Sequence, residues 1–360
     1  MTKLLVSSAP VFELDGQVKG ELARDVLFLE VQESTAGLKT MAVTLVAFGP
    51  AAGSTREREL YLDGSLLDFG KQVKVSIGPG GEARTIFDGL ISGMEVQYSE
   101  GTEPRVLALA EDKLMSLRMT RRMKTYENVS DADIAQMIAH EHGLAAEADA
   151  PGPTYKVVQQ WNQSDLAFLR ERARLLQAEI WISEDKLYFQ TRDKRTATDV
   201  TLVQGNDIIS IRARADLAHQ RTRVAVSGFD AQARDKVDEE ATGDAIRAEI
   251  SGGRTGVDIL NDAFGVRESF RVQEAPLASG EATAWARAEM LRRARAFVTV
   301  GATTRGTPDL VVGSRVTLER CGSPFDGEGY YTTLVRHTYD LSNGHRTYFE
   351  AERATIQGAA

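Results

Sequence analysis

The sequence predicts a mainly β protein of the α+β class, in which a small α/β insert separates two β units. Three observations carry that expectation. Short β-branched segments parted by Gly-rich turns fill the first 125 residues; a helix, a second helix and a hairpin follow; strands then return towards the end of the chain. With 360 residues the chain has room for two to three domains of about 150 residues each. Its 42% hydrophobic and 26% charged residues match an ordinary folded protein and not a disordered one.

Residues 25–32 (DVLFLEVQ) and 40–48 (TMAVTLVAF) are apolar and β-branched, with a turn at Thr35-Ala36-Gly37 between them. Residues 71–77 alternate, with Val73, Val75 and Ile77 on one face, and stop at Gly78-Pro79-Gly80-Gly81. Residues 86–98 and 104–110 pair across Glu100-Gly101. Such a set closes as a barrel or a sandwich. Ser130 then supplies an N-cap hydroxyl before Asp131 and Asp133, whose charges suit the positive end of a helix dipole. Ile134, Met137 and Ile138 follow at helical spacing, and Gly143 is a stop. A second helix over 164–177 repeats Leu166, Leu169, Ala173 and Leu176, and residues 179–183 and 186–191 form a hairpin turning at Glu184-Asp185. Strands resume from Ile208, for example at 222–227. Residues 235–249 hold six acids and two bases before Ser251-Gly252-Gly253, which predicts an exposed, mobile loop. A long helix over 281–297 places Trp285, Ala288, Leu291 and Ala294 on one stripe. Residues 330–339 and 346–354 flank Ser342-Asn343-Gly344, where Asn-Gly predicts a type I′ hairpin turn. No repeat of about 20–50 residues is visible. The two β units are of comparable size, which leaves a diverged duplication open.

The formal charge of −9 argues against a chain built to neutralise phosphates, so nucleic acid is not an expected partner. The N-terminus lacks the apolar run of about 7–15 residues that a secretory signal needs. No stretch approaches the ~18 apolar residues of a membrane span, so synthesis in the cytoplasm without membrane insertion is expected. One cysteine, Cys321, excludes an internal disulfide and any multi-cysteine metal site. His140-Glu141-His142 puts two imidazoles about 200° apart on a helix, so they cannot share an ion. Asp131-x-Asp133 fails as a calcium loop because Gln136 stands where glycine is required. A pair of Cys321 with His337 is conceivable, but a small apolar filler is the better reading of that thiol. Nucleophile elbows, phosphate loops and dinucleotide fingerprints are absent. No catalytic, cofactor-binding or metal residue is expected, and no cofactor. Arg118, Arg121, Arg122 and Lys124 form a basic cluster with no acid between them. It reads as a solvated edge or, more sharply, as a contact strip for an acidic protein partner; Tyr126 alone is poor stacking provision for nucleic acid.

Several segments carry a resemblance. Phe87-Asp88-Gly89-Leu90-Ile91-Ser92-Gly93, residues 107–112 (LALAED), 126–143 (YENVSDADIAQMIAHEHG) and Gln160-Trp161-Asn162-Gln163-Ser164-Asp165 come first. Phe168-Leu169, Leu187-Tyr188-Phe189, Gly313-Ser314-Arg315-Val316, Gly329-Tyr330-Tyr331, Val335-Arg336-His337 and Gly344-His345-Arg346-Thr347 continue in order. Together the chain resembles the late control gene D family of contractile phage tails, which includes baseplate hubs, the N-terminal half of VgrG spikes and hubs of contractile injection systems. The resemblance implies two related β-barrel-like domains with an α/β insertion, here 1–125, 126–204 and 205–360. It implies a homotrimer joining the hexameric tube, or a tube-initiator protein, to a trimeric spike among other baseplate proteins, in a phage tail or injection-system particle. The chain stops at Ala360, soon after the last hairpin, which suggests a spike on a separate polypeptide. Two rival readings are a peptidoglycan hydrolase acting during penetration and a carbohydrate-binding β protein. Against the second, only three tryptophans are present, and Trp161 and Trp285 fall at core or family positions.

Overall fold

Alternating apolar residues build the first sheet: β1 (Val11–Leu14), β2 (Val26–Ser34), β3 (Thr40–Val46), β4 (Gln72–Ile77), β5 (Arg84–Gln97) and β6 (Arg105–Glu111). The computed structural model describes residues 9–50, 53, 55, 57–78 and 83–357; the expected stop at residues 79–81 and the N-terminal residues 1–8 lie outside them. Val73, Val75 and Ile77 turn into one core with Leu29, Val31, Met41, Val43 and Phe87.

The insert comprises α1 (Leu114–Met119), β7 (Arg121–Val129), α2 (Asp131–Glu141), β8 (Ala145–Asp149), β9 (Tyr155–Ser164), α3 (Asp165–Leu176), β10 (Ala178–Ser183) and β11 (Lys186–Thr191). Ser130 caps α2 through a capping box with Asp133, and Ser164 caps α3 by accepting from the Ala167 N–H. The apolar stripe of α3 is buried, in a cluster that runs from Leu114 to Phe189. The hairpin β10–β11 turns at Glu184 and Asp185, both in the left-handed region.

After the insert come β12 (Val200–Val203), β13 (Ile208–Ala215), β14 (Arg223–Asp230), β15 (Asp235–Thr242), α4 (Asp244–Arg247), β16 (Glu268–Pro276), α5 (Ser279–Arg295), β17 (Val298–Arg305), β18 (Arg315–Glu319), β19 (Gly327–Asp340) and β20 (Gly344–Arg353). Between β13 and β17 the chain builds a second α/β layer, with α5 laid on the three-stranded sheet β15-β14-β16. The acid-rich stretch expected to be a mobile loop is part of this layer. β15 pairs with β14 along its whole length, Val237 is buried with Trp285 of α5, and α4 buries Ile246. Asp238 and Glu240 face outward, while Asp235 and Glu239 share the side of Val237, where Glu239 accepts from the Ser279 hydroxyl at the start of α5. The last hairpin also departs from expectation. Asn343 keeps a negative φ and only Gly344 is left-handed, so the turn is not type I′. The Asp340 carboxylate shapes it instead, accepting the N–H groups of Ser342 and Asn343.

The two β units repeat one topology, β2-β3-β6-β5-β4-β1 in the first and β13-β17-β20-β19-β18-β12 in the second. Their registers coincide over β2, β3, β6 and the second half of β5, and part where β4 meets the first half of β5. β2 and β13 carry a bulge at the same place, between Val26 and Phe28 and between Ile208 and Ser210. β5 and β19 do so too, between Ile91 and Gly93 and between Thr332 and Leu334. Gly70 donates to the Ile91 carbonyl and Ile91 to that of Lys71, just as Gly313 donates to Thr332 and Thr332 to Ser314. Only the outermost strand differs in direction, since β1 runs antiparallel to β4 and β12 parallel to β18. Antiparallel pairing of β19 with β2 joins the halves into one sheet of 13 strands.

Candidate interaction surface

The alternation of β7 divides the basic cluster. Arg122 and Lys124 point inward, to the ends of α2 and α3. Arg122 reaches Glu141 at 2.9 Å and Asp165 at 2.9 Å, and Lys124 reaches Glu141 at 2.5 Å. Arg118, at the end of α1, pairs with Glu111. Arg121 points outward, and its guanidinium donates to the side-chain and backbone oxygens of Asn162. The fully buried Asp165 is the hub of the inner set, held also by His142 Nε2 at 2.8 Å and Gln160 Nε2 at 2.8 Å. His142 therefore serves a carboxylate across the insert, while His140 stays exposed. Asp131 is more than a first-turn acid. Burial pushes its carboxyl up, although Arg172 lies 2.5 Å away and the Tyr155 hydroxyl donates to it.

The outward side of the β7–β9 ribbon is apolar. Met123 stands opposite Trp161, with Met119 and Val157 nearby in the chain and likewise exposed. Trp161 is 67% exposed, so of the core or family positions expected for the tryptophans it does not occupy a core one; Trp285 is buried. The strand alternation gives the reason: β9 turns Val158 and Gln160 inward, so Trp161 faces out.

A chain of ion pairs ties three parts of the molecule together. Glu33 on β2 binds Arg195 at 2.6 Å, and Arg195 binds Glu179 on β10 at 3.2 Å. Arg192 links Glu179 to Glu352 on β20, and the Tyr331 hydroxyl donates to Glu179 at 2.6 Å. Burial opposes the charge on Glu33, but Lys39 and Arg195 hold its carboxyl below the usual range. Beside this chain opens a cleft of about 550 Å³ lined by Arg192, Arg295, Arg315, Arg353, Glu249 and Glu352. Arg295 is paired with Glu249, and Arg353 donates to backbone carbonyls. Arg315 stacks 4.6 Å from the Tyr331 ring. These groups can hold an anion, but no nucleophile with a base stands among them.

Cys321 contacts the Glu319 carbonyl at 3.6 Å, and burial pushes its thiol up. His337 turns instead to His345 at 3.2 Å and Thr347 at 3.1 Å, so the conceivable Cys321–His337 pair does not form. This contact between the buried His337 and the half-buried His345 on facing strands was missed from the sequence, although the hairpin spacing placed them within reach. Among the described residues no group of three or more His, Cys, Asp or Glu could hold a metal ion, and no helix is long and apolar enough to cross a membrane.

No curated protein matches the chain. Solved structures share its fold over nearly the whole length. The 43 kDa tail protein of prophage MuSo2 from Shewanella oneidensis has a TM-score of 0.69 at 14% identity, covering 97% of this chain and 99% of its own. A tail protein from Neisseria meningitidis MC58 has a TM-score of 0.67 at 12% identity, covering 97% of each chain. An Escherichia coli component of the type VI secretion system, described as similar to the phage T4 tail proteins gp27 and gp5, has a TM-score of 0.57 at 12% identity. The match covers 97% of this chain and 79% of that one. The family model described as the Alg8 N-terminal domain matches residues 38–340, and with most of its length inside that match the chain belongs to this family.

Proposed function

We propose that the chain is a structural hub subunit of a contractile phage tail or injection-system baseplate, working as a homotrimer between a hexameric tube and a trimeric spike. The observation that carries this reading is the repeat of one strand order in both halves of the chain, with the bulges of β2 and β5 recurring in β13 and β19. Two equivalent sheets per chain give a trimer six similar surfaces for a sixfold ring, while the unlike α/β layers keep threefold symmetry for a spike. The naming of similar folds as tail proteins and as a type VI secretion component supports it. No bond is made or broken in this role, and no residue is assigned to catalysis. The outward ribbon face with Arg121 is then a contact for an acidic neighbouring baseplate protein; Arg122 and Lys124 hold that ribbon in place, and Arg118 ties α1 to Glu111 of β6. Size exclusion with light scattering, for the chain alone and with tube and spike proteins from the same source, tests the reading. A threefold assembly is expected. A chain that remains monomeric or dimeric with both partners present overturns it.

A further inference from the structure

The internal repeat also specifies how one copy meets the next. Within the chain, the second half of β19 is flanked on one side by β20 and on the other by β2, with Arg336 opposite Gln32, Thr338 opposite Glu30 and Tyr339 opposite Leu29. The strand equivalent to β19 is β5. Its first half pairs with β4 and its second half with β6, so from Ser92 onward the side that β2 covers on β19 is open among the described residues. The strand equivalent to β2 is β13, which pairs with β17 and, among the described residues, forms no ladder on its other side. Each chain thus presents one half of a strand junction at β5 and the other half at β13. Open edges of this kind are templates for pairing.

We propose that β5 of one copy pairs antiparallel with β13 of the next, reproducing between copies the β19–β2 junction found within each. The shared bulges fix the register. Glu95 takes the place of Arg336 and meets Arg214 in the place of Gln32, next to Arg212 in the place of Glu30. In the internal junction the basic member is on β19: Arg336 donates to Gln32 at 2.9 Å and lies 3.8 Å from Glu30. Between copies the polarity is reversed, with the acid on β5 and the two bases on β13. Complementarity survives although every charged residue has changed.

The apolar contact repeats as well. Tyr339 is 6% exposed because it enters the core of the first half across Leu29. Its equivalent one residue beyond β5 is Tyr98, which is 60% exposed. In the same register Tyr98 reaches Ile211 of the next copy, on the rim of the core of the second half. A face that uses β5 on one copy and β13 on its neighbour is head-to-tail, and such contacts close into a ring where the rotation between copies divides a full turn. The ring reading above supplies the number of copies; the pairing itself rests on the repeat.

Disulfide trapping tests it. Residues opposite each other in an antiparallel pair have Cα atoms about 4.5–5.5 Å apart, within the span a disulfide needs. The E95C/R214C variant, with Cys321→Ser to remove the native thiol, is oxidised at high concentration without partner proteins. A covalent ladder ending at a closed species of three chains is expected, and none from either single variant. E95R should lower the association constant roughly tenfold, and E95R with R212E/R214E should restore it. Tyr98→Asp should abolish association while leaving the melting temperature of the monomer unchanged. An E95C/R214C variant that associates but gives no cross-link on oxidation, or an oligomer indifferent to E95R and Tyr98→Asp, overturns the edge pairing and leaves the ring reading standing. A chain that stays monomeric even beside its tube and spike proteins overturns both.

Discussion

Leu169 has no exposed surface and sits in the middle of the buried stripe of α3, between Leu166 and Ala173. A carboxylate there would have no partner, and burying one costs several kcal/mol, comparable to the whole margin of stability of a domain. L169D should therefore unfold the insert, read as lost thermal cooperativity, and an unchanged melting temperature would mean that this face is not packed. The histidine pair predicts a pH dependence. Burial, followed by the neighbouring His345, lowers His337 to about 3, and burial with Arg346 lowers His345 to about 4. Unfolded histidine titrates near 6.5, so the unfolded chain takes up protons that the folded one refuses. Stability is then full above pH ~6.5 and falls as the pH drops towards 4, by about 3 kcal/mol for one imidazole. Asp112, which burial pushes up to about 6, works in the opposite direction. The useful measurement is therefore the difference between wild type and H337Q in urea titrations from pH 7 to pH 4. The variant should show the shallower loss, and equal slopes would mean that His337 protonates freely in the folded protein.

Elements are joined by Glu179, which faces Arg192 and Arg195 and accepts from Tyr331, while Arg192 and Arg195 reach on to Glu352 and Glu33. Replacing Glu179 by Leu leaves two buried guanidinium groups short of an acid, a loss of about 3–5 kcal/mol. Its particular signature should be separate unfolding of the insert and the two sheets, which calorimetry would report as more than one transition. A single transition with unchanged midpoint would show that apolar contacts alone hold the parts together. None of these partners could be paired from the sequence, because each pair spans elements whose order in space is set by the fold. Local signals were legible for a complementary reason. Ser130 with Asp133, Ser164, and the spacing of Leu166, Leu169 and Ala173 act within one or two helical turns, where sequence distance is spatial distance. Composition misread β15, since its acids fall on both sides of the strand and the burial of Val237 under α5 decides the outcome. The basic cluster was visible as a run of charge, but the alternation of β7 that separates Arg121 from Arg122 mattered more than the run. The repeat was hidden because what recurs is register. Glu30 corresponds to Arg212 and Arg336 to Glu95, so identities differ on outward positions while the bulges of β2 and β5 and the glycine at Gly70 and Gly313 recur.

At the scale of the whole molecule, two electrostatic effects oppose each other in the proposed ring. Each chain carries a formal charge of −9, so bringing copies together is opposed by repulsion spread over the entire surface. That repulsion acts over distances comparable to or longer than the Debye length, about 10 Å at 0.1 M salt, and is readily screened. The contacts of Glu95 with Arg212 and Arg214 would lie at hydrogen-bond range on a strand edge that docking shelters, where added salt weakens them less. Strand hydrogen bonds and the burial of Tyr98 are not screened at all, and moderate salt does not weaken apolar burial. Self-association of the isolated chain should therefore strengthen severalfold as sodium chloride is raised from about 20 to 300 mM, measured by sedimentation velocity. The E95R variant separates the two effects. It makes the net charge less negative, so generalised repulsion falls, yet it sets three cations against one another at the junction. If it associates more weakly than wild type at both salt concentrations, the local contact governs assembly. Stronger association of E95R at low salt would instead make net charge the controlling quantity, with Glu95 outside the interface.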